Sequence, residues 1–181
     1  MAGIIRRIDE LGRIVLPKEI RKILKLNTGD ALEITIDSGV ISVTKYLPLS
    51  KNVKEIEDIA KSLKKITEKS VLITDRQTVI VAEGELSNLK GEKLSLDALD
   101  KINKKSSFSL SKKDGASPIK ITENKQEDCF MQIIMPIFSG EKDAVGLVVV
   151  CGHGESENFD ATDIKLLKFV SQMLYNFYGE V

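Results

Sequence analysis

Five arginines punctuate this chain, at positions 6, 7, 13, 21 and 76, and four of them fall within the first 21 residues. A guanidinium presents a planar fork of donors that grips phosphate oxygens or a guanine edge in pairs, which lysine's point charge does not do. Over residues 1–25, Arg6, Arg7, Arg13, Lys18, Arg21, Lys22 and Lys25 stand against only Asp9, Glu10 and Glu19, a local excess of +4. The whole chain has net charge zero, so the remaining residues carry −4. Such asymmetry predicts a polyanion partner for one end of the chain only.

Other side chains able to do chemistry are few. Cys129 and Cys151 are the two cysteines, and His153, the single histidine, sits between Gly152 and Gly154. Cys151 and His153 would share a face of an extended strand, so a thiol–imidazole site can be drawn. A nucleophile of that kind needs a base within hydrogen-bond reach and a group to orient it. The sequence shows neither, and the expectation is a buried strand cysteine beside an exposed loop histidine. A metal would need more ligands than these three, and there is no C-x-x-C pair and no glycine loop for phosphate. No catalytic residue, metal or cofactor is expected, and the chain is not read as an enzyme. With no signal peptide, and with residues 145–151 as the most apolar stretch, a reduced, cytoplasmic protein that does not span a membrane is predicted.

The arginines need a scaffold. Ile4, Ile5 and Ile8, then Ile14, Val15 and Leu16, form two apolar runs separated by residues 9–12, a hairpin pattern with a turn at Leu11 and Gly12. Pro17 suits the first turn of a helix, and Ile20, Ile23 and Leu24 give that helix one apolar face. Residues 27–30, with Gly29 available for positive φ, end it. Leu32, Ile34 and Ile36 alternate with polar residues, residues 37–39 turn the chain, and Ile41 and Val43 return, giving a second hairpin. Such a unit is small for an independent core and has no disulfide or metal set, so dimerisation is the default expectation. It would also cover the open strand edges.

The segment from Gly3 to Arg21, with Leu26, residues 29–34, Lys45 and Tyr46, resembles the AbrB-type family of transition-state regulators. The resemblance covers residues 1–47 and implies a swapped-hairpin β-barrel, an obligate dimer in which two chains interleave their hairpins. It further implies that double-stranded DNA is contacted by Arg6, Arg7, Arg13, Arg21 and Lys22, the last standing where the family often has arginine. AbrB-type heads also occur in antitoxins, so an antitoxin-like protein-interaction module is the alternative reading.

Residues 48–52 read as a linker, with Pro48 blocking a strand and Ser50 or Asn52 able to cap a helix beyond it. A leading helix is predicted over 53–68, with Ile56, Ile59, Leu63 and Ile66 as an apolar seam. That seam fits either an amphipathic helix lying on the next domain or a short coiled-coil contact. Strands come next at 71–74 and 78–82, then a short helix around Leu94, Leu96, Leu99 and Ile102, and a lysine- and serine-rich loop or edge over 104–113. Two long strands, 128–138 and 144–151, precede a closing helix over 160–178 with Ile164, Leu167, Val170, Leu174 and Phe177 on one face. This order, with the run from Met135 to Phe138 and Asn158, Phe159 and Asp160 before the last helix, resembles a GAF domain over 53–181.

The expected fold class is therefore α+β: a swapped-hairpin barrel followed by a GAF-like α/β sandwich. An AbrB-type head joined to a GAF-like tail resembles transcriptional regulators of endospore-forming bacteria. The resemblance implies a head that binds DNA and a tail (residues 53–181) that pairs dimers into a tetramer. The tail would also be the place for a small-molecule ligand, although no nucleotide-fixing motif is visible in it.

Overall fold

The computed structural model describes residues 4–24, 26, 28, 32–46, 49, 52–125, 127–139 and 143–178. It divides into two units, residues 1–46 and 47–181. Of the sequence expectations, those on Lys25, on Asn27, Gly29 and Asp30 in the first helix's exit, on Pro48 and Ser50, and on the side chain of Phe177 lie outside the described residues.

In the first unit, Lys18–Ile23 forms a short helix α1 behind Pro17, and Leu32–Asp37 (β1) pairs antiparallel with Val40–Lys45 (β2). The register puts Asp37 opposite Val40, so Ser38 and Gly39 alone make the turn. Both have positive φ (48° and 80°), the backbone hand that matches strand twist in a two-residue hairpin. The first expected hairpin is only partly realised. Residues 9–13 make its turn, but its two arms form no ladder among the described residues. Apolar side chains on these arms and on the second hairpin stay in solvent: Ile5 is 92% exposed, Val15 76% and Ile36 75%. Among its described residues, this unit has apolar stripes but no buried apolar cluster for them to enter.

The second unit is the reverse case. Its sheet has the order β4-β3-β7-β6-β5, built from β3 (Ser70–Thr74), β4 (Val79–Glu83), β5 (Phe108–Ser111), β6 (Met131–Ser139) and β7 (Asp143–Gly152), with every neighbour antiparallel. Runs such as Val148-Val149-Val150 are apolar at every position because both faces are covered. On one face lie α2 (Val53–Thr67) and α4 (Ala161–Tyr178), where Ile56, Leu63, Leu167 and Leu174 meet Val71, Ile73, Val148 and Val150. On the other, α3 (Leu96–Lys104) and the 3-10 helix Gly84–Leu89 pack Ile102, Ala98, Leu86 and Leu89 against Leu72, Leu147 and Val149. The three layers form an α/β sandwich, and with the first unit the chain is α+β.

Local chemistry explains the element ends. Ser95 caps α3 by accepting the Ala98 N–H at 3.1 Å. Asp160 caps α4 by accepting from Thr162 (2.7 Å) and Asp163 (2.8 Å). Glu68, with φ 57°, closes α2 in the left-handed region. Asn52 precedes α2 but makes no side-chain cap bond. Within the seam of α2, Ile56 and Leu63 enter the core while Ile66 stays 65% exposed, so the helix lies on its own domain and keeps an apolar residue outward.

The lysine- and serine-rich stretch, expected as a loop or edge, contains the edge strand β5, whose Phe108 and Leu110 pack on the second cluster as it pairs with β6. One expectation needs amending. Leu49, placed by the sequence in a linker, is fully buried among the side chains of the second unit's core.

Candidate nucleic-acid interface

The turn that carries Arg13 is built by one carboxylate. Asp9 Oδ1 accepts the backbone N–H of Leu11 (3.0 Å) and of Arg13 (2.8 Å), while Oδ2 accepts Nε–H of Arg13 at 2.8 Å. Backbone bonds from Asp9 N to Arg13 O (3.1 Å) and from Gly12 N to Asp9 O (3.0 Å) close the loop, and Gly12 supplies the positive φ of 76°. Bonds from the Arg13 backbone and then its guanidinium hold the Asp9 carboxyl below its ordinary pKa. The Arg13 side chain remains 70% exposed.

Arg6 and Arg7 sit in the arm before this turn, both exposed. Arg21 and Lys22 lie in the last turn of α1, also exposed, where the Arg21 N–H donates to Pro17 O at 3.0 Å. The cations gathered by the sequence are thus carried by three consecutive pieces of one small unit: arm, turn and helix. Asp9 was not among the residues singled out from sequence. The available signal was an aspartate three positions before a glycine in a short turn, the pattern of a side chain accepting from the backbone ahead of it.

In the second unit, the chemistry drawn for Cys151 and His153 does not assemble. His153 is not an exposed loop side chain: it is 17% exposed, and both ring nitrogens are engaged. Asp128 O faces Nδ1, and a carbonyl only accepts, so Nδ1 carries a proton, while Nε2 and Ser70 Oγ share a hydrogen bond of 2.8 Å. Ser70 Oγ in turn accepts the Glu85 N–H at 3.0 Å. Ser70 is 3% exposed, so this chain of bonds ties the start of β3 to the loops after β4 and β7. The Cys151 thiol is pushed well above its ordinary pKa, first by its hydrogen bond with Cys129 and then by burial, which makes it a poor nucleophile. No cluster of three or more histidine, cysteine or acidic side chains suited to a metal occurs among the described residues. None of the described helices is long and apolar enough to cross a membrane.

Between α2 and α4 runs a shallow apolar groove of about 300 Å³, lined by Ile59, Leu63, Ile66, Leu166, Phe169 and Met173 among others. Phe169 at its rim is 62% exposed.

Comparison with known proteins assigns both units. Residues 53–176 match the family described as stage V sporulation protein T C-terminal, transcription factor, and residues 5–48 match antidote-toxin recognition MazE, bacterial antitoxin. Stage V sporulation protein T of Bacillus subtilis (strain 168) is 34% identical over 149 residues, covering 82% of each chain. The transition state regulatory protein AbrB of the same organism is 39% identical over 92 residues, 49% of this chain and 94% of its own. A solved GAF domain/HD domain protein from Geobacter sulfurreducens covers 74% of this chain and 98% of its own at 15% identity and a TM-score of 0.50, a likeness of fold. The chain belongs to the stage V sporulation protein T family of transcription factors.

Proposed function

We propose that this protein regulates transcription by gripping double-stranded DNA with a dimeric, arginine-rich head, and that its tail joins two such dimers. In this reading residues 1–47 are the DNA-binding and dimerisation domain, 48–52 the connection, and 53–181 the regulatory and assembly domain. Arg6, Arg7, Arg13, Arg21 and Lys22 contact the DNA.

One observation carries the proposal: a unit that exposes its guanidinium groups also exposes its apolar residues. Among the described residues, all the exposed large apolar side chains except Ile66, Leu96, Ile164 and Phe169 belong to the head. Burying a large apolar side chain is worth about 1.5–3 kcal/mol, so a second copy that covers these stripes is the natural source of the head's stability. Interleaved arms would supply the strand partners that residues 4–16 lack in one chain. The twofold axis would then set two copies of each cation against one DNA segment.

A second copy also fits the groove between α2 and α4, where Ile66 and Phe169 remain uncovered. A four-helix contact there would join dimers into a tetramer and add avidity once both heads can engage. On the opposite face of the sheet, Leu72, Leu89, Ile102 and Val149 are all fully buried and belong to one apolar cluster. The antitoxin-like reading draws on the head's match alone and leaves the well-packed tail unused. The thiols of Cys129 and Cys151 are free, as suits a cytoplasmic regulator.

The test is fluorescence anisotropy of a promoter-length duplex against full-length protein across a salt series. Phosphate neutralisation gives a log–log slope of about −0.9 per contact, so replacing Arg13 by alanine in both protomers should flatten the slope by about 2 and weaken binding. Shallow salt dependence, indifferent to Arg13→Ala, would reject DNA on the arginine face and favour a protein partner.

A further inference from the structure

We infer that Asp9 is a positioning residue for DNA recognition: its carboxylate holds the Arg13 guanidinium in place before DNA arrives. The inference rests on the reading that Arg13 contacts DNA and adds what aims it.

Two features of the turn lead there. First, the carboxylate divides its labour. Oδ1 accepts the backbone N–H groups of Leu11 and Arg13, and Oδ2 accepts Nε–H of the Arg13 side chain. One rigid group therefore fixes both the backbone under Arg13 and the direction in which its side chain leaves. Second, the bond to the guanidinium is made through Nε. That leaves the Nη1–Nη2 edge, the pair of donors that matches two phosphate oxygens or the O6 and N7 of guanine.

Stability alone gives little reason for this ion pair. Both side chains are substantially exposed, and exposed pairs contribute little to folding. A carboxylate within a basic face also repels phosphate, so on charge alone its presence weakens DNA binding. Preorganisation works in the other direction: an arginine already held in one geometry loses less freedom when it binds. The two effects of Asp9 have opposite signs, and that makes them separable.

The experiment compares the affinity of the full chain for one duplex at one salt concentration across five proteins: unmodified, Asp9→Asn, Glu10→Gln, Arg13→Ala, and Asp9→Asn with Arg13→Ala. Asparagine keeps an acceptor for the two backbone N–H groups but removes the charge and the carboxylate oxygen facing Nε. Glu10→Gln removes an equal charge from the neighbouring position. Positioning predicts that Asp9→Asn weakens binding about tenfold, the loss expected when one arginine per protomer must be ordered by the DNA itself. Glu10→Gln should bind as tightly as the unmodified protein or tighter. In the Arg13→Ala background, Asp9→Asn should cause no further loss.

Binding of Asp9→Asn at or above the unmodified level, with Arg13→Ala weak, would overturn the inference and leave Arg13 as an unaided contact. Equal losses from Asp9→Asn with and without Arg13 would also overturn it, because the residue would then be acting on the turn's integrity alone. Unmodified affinity in Arg13→Ala would remove the underlying DNA assignment, and the inference with it.

Discussion

Replacing Gly146 by alanine should destabilise the tail far more than replacing Gly152, six residues along the same strand. A Cβ at Gly146 would stand 1.8 Å from Thr74 O, 2.9 Å from Thr74 C and 3.0 Å from Leu49 Cδ1. Two of these are backbone atoms of a neighbouring strand and cannot rotate away. Ordinary carbon–oxygen contact would require β3 and β7 to part by about 1.5 Å, against a strand spacing near 4.8 Å. That breaks the Thr74–Leu147 end of the ladder, with its Leu147 N–H bond to Thr74 Oγ1 at 3.2 Å, and displaces the fully buried Leu49. Overpacking combined with one or two lost hydrogen bonds amounts to about 3–4 kcal/mol. At roughly 3 °C per kcal/mol for a domain of this size, the tail's melting temperature should fall by about 10 °C. At Gly152 the new Cβ would meet Glu157 Oε2 and Met131 Cγ, each at 2.7 Å. Glu157 Oε2 ends a flexible side chain and Met131, though buried, is unbranched and can change rotamer, whereas the Thr74 backbone cannot, so the loss should stay at about 1–2 kcal/mol, or about 3–6 °C. Thermal melts by circular dichroism at one protein concentration make the comparison. If Gly146→Ala melted within about 3 °C of the unmodified protein, or if Gly152→Ala were the worse of the two, the close approach of β3 to β7 would not be a constraint on this strand.

Phe169→Asp places a charge in the groove between α2 and α4 at an exposed position. If tails pair through this groove as proposed, the change should leave the tail folded and lower the assembly state in sedimentation, and an unchanged state would move the assembly surface elsewhere. Asp160 titrates below its ordinary range because the N–H groups of Asp163 and Thr162 bond its carboxylate. A depressed folded-state value means that this stabilisation is present above the unfolded pKa, near 4, and is lost as pH falls through the folded value. Asp160→Asn keeps the cap acceptor and should flatten the acid limb of melting temperature against pH, whereas an unaltered limb would show that Asp160 takes no part in it.

Much of the tail was readable because its residues answer to local rules. Asp160 and the apolar face of α2 announce helices through position and period, and residues 71–74 and 144–151 announce strands through largely apolar runs. Leu49 was not readable. A leucine beside a proline in a polar stretch looks like a linker, and only contacts distant in sequence, with Leu49 Cδ1 lying close over Gly146, give it a place. His153 failed for a similar reason: a histidine between two glycines suggests solvent, but Ser70 and Asp128, distant in sequence, enclose it. In the head, composition located the arginines and could not locate Asp9, whose role comes from bonds across four residues. The first hairpin's arms show the limit most clearly. Their apolar pattern predicts strands, yet among the described residues the two arms form no ladder.

That contrast bears on how such a protein can be controlled. The tail's core is complete within one chain, with Ile73, Val148 and Leu174 fully buried, while the head's Ile5, Val15 and Ile36 are left in water. If a second copy completes the head as proposed, the head's stability is tied to protomer concentration by mass action, whereas the tail's core needs no partner. A tail that pairs with a second tail raises the local concentration of heads and so favours the dimeric fold that binds DNA. Under this arrangement, a signal that alters tail pairing changes the population of folded heads without touching an arginine. DNA, by binding only the folded dimer, stabilises the same state from the other side. Such coupling would need no moving hinge between tail and head, because a head completed only by a second copy would itself be the two-state element.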